Sequence, residues 1–68
     1  MTSMLAAQLI ASELNVASGA DASIQVVIEQ ANDYLCQFPI GSNPQGANRQ
    51  LGELLKNALD AYNNSLGG

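Results

Sequence analysis

The side chains that could do chemistry are few: one cysteine, six carboxylates, two bases and no histidine in 68 residues. Cys36 is the only strong nucleophile by residue type. A thiol becomes a catalyst when a neighbouring base or cation holds it as thiolate. With no histidine to serve as that base, Cys36 is expected to be a structural or disulfide-forming thiol. Glu29 and Asp33 stand four apart, with Asp60 far down the chain. Paired carboxylates on a helix can hold a cation, but hard-cation loops cluster their oxygen ligands more densely, so these are expected to form a solvated face. No calcium loop and no phosphate-binding loop of the G-x-x-x-x-G-K-[ST] type occurs. The chain is therefore not expected to be an enzyme, and neither a metal nor another cofactor is expected.

The same inventory bears on partners. The net charge is −4, and Arg49 and Lys56 are the only cations. Neutralising several phosphates takes a cluster of Lys and Arg, so a nucleic-acid partner is not expected. Anionic membrane surfaces are excluded for the same reason, and no apolar run approaches the roughly 20 residues of a spanning helix. Residues 4–11 have the apolar character of a short export-signal core. Gln8 interrupts them and no base precedes them, so any such signal is expected to be removed or never present.

Whatever these residues do, three periodic segments must position them. The first, about residues 4–18, spreads Leu5, Ala6, Leu9, Ile10, Leu14, Val16 and Ala17 over a wide arc and leaves Gln8, Ser12 and Asn15 on the remaining edge. It is expected to be the most buried helix, with Ser3 capping its start and Gly19 closing its end. The second, about 22–38, starts after Asp21 or Ser23. It aligns Ile24, Val27, Ile28, Ala31, Leu35 and Phe38 in one stripe that ends at Pro39. Val26 and Cys36 lie off that stripe. Residues 39–46, PIGSNPQG, are turn chemistry and predict an ordered loop. The third segment, about 47–64, carries Leu51, Leu54, Leu55, Ala58, Leu59 and Tyr62. Arg49 to Glu53 and Lys56 to Asp60 are four apart on its outer side. Asn63, Asn64, Gly67 and Gly68 are expected to let that helix fray and stop.

These segments predict a single all-α domain over residues 1–68, a small three-helix bundle or helical hairpin array. Gly52 interrupts the third helix at a cost of about 1 kcal/mol relative to Ala. It is either a tolerated glycine or a point of close approach by another helix. The three aromatics, Tyr34, Phe38 and Tyr62, lie on or beside the stripes and are expected to pack in the core or an interface. Asn63-Asn64-Ser65 matches the glycosylation acceptor pattern, a three-residue match common by chance. Leu66-Gly67-Gly68 matches the tail of ubiquitin-like carriers, but those folds are strand-rich, so a linker is the better reading.

Leu5-Ala6-Ala7-Gln8-Leu9-Ile10-Ala11, then Leu14-Asn15-Val16-Ala17-Ser18-Gly19-Ala20, and later Leu59-Asp60-Ala61-Tyr62-Asn63-Asn64, resemble a helical segment of large secreted bacterial surface proteins. In that segment a helix ending in LNVANGA precedes one with a cysteine near its end and a third ending in LDxYNNG. The resemblance covers nearly the whole chain. Ser18 stands where the pattern has Asn, and Ser65 where it has Gly. Its motifs are helix faces and helix ends, so it implies an extracellular, non-catalytic module and assigns no site. It also implies an oxidising compartment, in which Cys36 would pair with a cysteine outside this fragment or on another chain.

Two functions follow as expectations. The first is a structural or interaction module that packs on adjacent domains or self-associates as a homo-oligomer through helix one, with Leu5, Leu9, Ile10, Leu14 and Val16 as contact residues. The other is a free-standing acidic adaptor or inhibitor that binds a protein partner through Glu29, Asp33, Glu53 and Asp60.

Overall fold

Gly19 decides where the first helix stops. In the computed structural model, which describes residues 1–67, its φ is 97°, a conformation that L side chains rarely adopt. The Gly19 N–H donates to the carbonyl of Val16 and the Ala20 N–H to that of Asn15, the paired bonds of a Schellman cap. The helix so closed, α1, spans Thr2–Ala17. It starts earlier than the sequence predicts, and Ser3 does not cap it: the start is at Met1, whose carbonyl accepts the Leu5 N–H, and no side chain caps it. Ser3 already lies inside the first turn. Thr2 instead ties the start of α1 to the loop, its hydroxyl accepting from the Gly41 N–H at 3.1 Å and facing the Ser42 carbonyl at 3.4 Å.

Asp21 opens the next element. Its carboxylate accepts the Ser23 N–H at 2.9 Å and caps a single 3₁₀ turn, Ala22–Ile24, that leads into α2, Gln25–Gln37. Phe38 then leaves the helix at φ −124°, ψ 81°, where the following Pro39 forces it. A short loop, with Gly41 at φ 93° and Pro44 buried, delivers the chain to α3, Gly46–Gly67. The predicted stop near Asn64 is thus overrun by about one turn. Gly68, the last residue of the tail, lies outside the described residues.

The three helices pack against one another with no strand among the described residues, a small all-α three-helix bundle. Each helix touches both of the others. Tyr62 near the end of α3 bonds the Asp21 carbonyl, while Tyr34 near the end of α2 meets Asn48 at the start of α3, so α2 and α3 run antiparallel. The core is Leu5 and Leu9 of α1, Ile28, Ala31 and Tyr34 of α2, and Leu55 and Leu59 of α3. Each such large aliphatic contributes about 1.5–3 kcal/mol on burial. Met1, Val16, Ile24, Val27, Leu35 and Phe38 close the edges.

Candidate functional site

Three corrections to the sequence reading determine which surfaces are free. On α3 the predicted stripe is wider than the face that packs. The inward line is Gly52, Leu55, Leu59 and Asn63, at i, i+3, i+7 and i+11, so Leu51, Leu54 and Ala58 turn outward. Gly52 is the cause. A Cβ there would lie 2.5 Å from the Tyr34 hydroxyl oxygen and 2.5 Å from the Met1 methyl, so only glycine lets α3 come this close. Close approach, the second of the two readings of this glycine, is the one the structure bears out.

On α1 the polar edge faces inward. Ser12 is fully buried at 0% exposure, with Gln8 and Asn15 half-buried beside it. All three meet Asn63. The Asn63 Nδ2 donates to the Gln8 carbonyl at 3.1 Å and to the Gln8 Oε1 at 2.8 Å. Its Oδ1 accepts from the Asn15 Nδ2 at 2.8 Å and lies 3.1 Å from the Ser12 hydroxyl. The single Ser12 proton is shared with the Gln8 carbonyl at 2.9 Å. Asn63 therefore uses both its donors and both its acceptor positions, and a residue expected to fray the helix pins it to α1. The same engagement occupies the amide nitrogen that the glycosylation pattern would modify.

The third correction concerns the contact residues on α1. Leu5 and Leu9, expected to carry an intermolecular contact, lie in the core at 0% and 5% exposure, and Val16 is packed against it. Ile10 and Leu14 are on the opposite side, 60% and 64% exposed. With Ala7 and Ala17, both exposed, they form an outward stripe at i, i+3, i+7 and i+10, with exposed Met4 beside it. Helix α1 is apolar on two faces, and only one is covered. It carries a single charge, Glu13.

The carboxylates do not converge. Arg49 Nε and Glu53 Oε1 form an exposed pair at 3.2 Å, the only ion pair among the described residues. Lys56 and Asp60, expected to pair likewise, instead line a shallow hollow with Met4 and Gln8. Glu29 and Asp33 lie on the exposed side of α2, a helix without a single base. No three metal-ligating side chains gather among the described residues. Cys36 is a free, exposed thiol on that same helix.

A cleft of about 260 Å³ opens between α2 and α3, lined by Asp33, Tyr34, Gln37, Phe38, Leu51 and Leu55 among others. The Tyr34 and Phe38 rings lie 4.9 Å apart at 40° to each other. Tyr34 is buried and donates to the Asn48 carbonyl at 2.7 Å. Burial pushes its phenol above the ordinary 10.0, with Arg49 pulling the other way, so at neutral pH it stays a donor.

Among the described residues no helix is long and apolar enough to cross a membrane. Protein-family models, curated proteins and solved structures return no match to this chain.

Proposed function

We propose that this chain is a non-catalytic structural and interaction module that joins adjacent domains, or copies of itself, through the outer face of α1. One observation carries the reading: Ile10 and Leu14 stand 60% and 64% exposed on a helix whose other face already fills the core. A helix apolar on both sides needs cover on both. The four stripe residues are uncharged, and the one carboxylate of α1, exposed Glu13, flanks them three residues from Ile10 and four from Ala17. The resemblance to segments of secreted surface proteins supports the same role and an extracellular setting, in which exposed Cys36 is available for a disulfide between chains.

The test is solution mass by light scattering behind a sizing column, for the native chain and Leu14→Asp, each with and without reductant. The expected result is a native species above the 7.1 kDa monomer that survives reductant, and a Leu14→Asp monomer of unchanged helicity. A native monomer at millimolar concentration overturns self-association and leaves the adjacent-domain form. A species that collapses only on reduction moves the contact to Cys36.

A further inference from the structure

We infer that the groove between α2 and α3 docks an amphipathic helix of a second protein that carries lysine or arginine along one flank. The inference concerns a different face from the α1 stripe. The cleft of about 260 Å³ between these helices falls below the roughly 300–1,000 Å³ of small-molecule sites. It fits a single inserted side chain. Its walls have helical spacing, Asp33 and Gln37 on α2 against Leu51 and Leu55 on α3, so it is a hole of the kind that receives a knob from a third helix.

Leu51 of the hole also begins an apolar line on α3, whose Leu54 borders a separate hollow with Gln50, Glu53 and Asn57. Leu51, Leu54, Ala58 and Ala61 follow one another at i, i+3, i+7 and i+10 along the outside of α3, and Leu51 and Leu54 are 49% and 67% exposed. Ten residues of helix give a strip about 15 Å long, three turns of a partner. Across the groove, Val26 and Asp33 lie on one edge of α2, seven residues apart, with Val26 exposed.

Charge selects the partner. Asp33 is the charged residue that lines the cleft, Glu29 stands one turn from it on α2, and α2 has no base to neutralise either. Arg49, near the Tyr34 end, is already paired with Glu53. A second copy of the chain does not supply the complement. Its α1 and α2 contain no base, and Arg49 and Lys56 of α3 alternate with Glu53 and Asp60, with Arg49 already paired with Glu53. The occupant is therefore a basic helix from another protein, its apolar ridge on the α3 line and its cations toward Asp33 and Glu29.

The probes are two helical peptides of about three heptads, with leucine at a and d and one flank of lysine or of glutamate. Binding is followed by amide chemical shifts of the isotope-labelled chain. The lysine peptide is expected to shift residues 30–38 and 48–55, to bind about tenfold tighter than the glutamate peptide, and to weaken with salt. Asp33→Asn is expected to weaken it several-fold, and Leu51→Asp to abolish it with the helical circular dichroism retained. Equal binding of the two peptides, no shift with either at millimolar concentration, or an unchanged Asp33→Asn affinity overturns the inference. Leu14→Asp must bind the lysine peptide as the native chain does; if it does not, the peptide sits on α1 and the groove is not its site.

Discussion

The hydroxyl of Tyr34 stands over Gly52 where a methyl group would have to go, 2.5 Å from the position of a Cβ, with Cζ at 2.7 Å. The ring cannot swing aside cheaply, because it is buried against Phe38 and held by the bond to the Asn48 carbonyl. Gly52→Ala sets two effects against each other. Helix propensity favours alanine by about 1 kcal/mol, while overpacking a fitted interface costs about 1–3 kcal/mol. The clash is with a constrained ring, so the variant is expected to lose about 1–2 kcal/mol in urea unfolding. A gain near 1 kcal/mol would mean that Tyr34 moves freely and that the glycine does not set the approach of α3.

Asn63 gives the second expectation. Asn63→Ala strips partners from the Gln8 carbonyl and Oε1, the Asn15 amide and the Ser12 hydroxyl at once. Ser12 keeps its bond to the Gln8 carbonyl and Gln8 is half-buried, so the loss is partial. A cost of about 1–3 kcal/mol follows for groups left short of partners. Ser12→Ala is expected to cost less, and the double variant less than the sum, since the two side chains share one network. Strict additivity would show that the network does not act as a unit.

These two residues mark where the sequence was legible and where it was not. The helix count, the Gly19 cap and the Pro39 stop follow from local chemistry: a positive φ that favours glycine and a proline that bars the residue before it from the helix. Which arc of each helix turns inward does not follow, because α1 and α3 are apolar over more of their circumference than they bury. The choice is made by tertiary fit. Gly52 draws α3 in along its own line, and the amide of Asn63 turns the polar edge of α1, with Ser12, to the inside. Ile10 and Leu14 are left outside as the consequence. No single-helix pattern shows this, although an Asn, a Ser and a Gln at facing positions of two helices are the residues whose bonds could signal it.

Asp21 provides the pH test. The Ser23 N–H and hydroxyl hold its carboxyl below the ordinary 3.8. A carboxylate with a depressed folded pKa stabilises above its unfolded value, and that contribution is lost as pH falls through the folded one. The 3₁₀ turn is therefore expected to keep its cap at neutral pH and to release it only below about pH 3.8. The Ser23 amide shift, followed by NMR, should titrate with a midpoint below 3.8, and this step should be absent in Asp21→Ala. A midpoint at or above 3.8 would show that the Ser23 bonds do not hold the charge in solution.

Cys36 lies on the exposed side of α2, away from the core line of Ile28, Ala31 and Tyr34. Reaction of a thiol with a disulfide reagent needs access and thiolate, and the first is met without unfolding. One equivalent of reagent per chain is expected to react with the native protein without prior unfolding and with no change in helicity. Under mild oxidation a covalent dimer should form and reductant should dissolve it. Because Cys36 and the Ile10–Leu14 face belong to different helices, Leu14→Asp should leave this dimer's yield unchanged while altering the non-covalent mass. If Leu14→Asp abolishes the disulfide dimer as well, the thiols meet only after the α1 faces have paired, and the two contacts are one assembly.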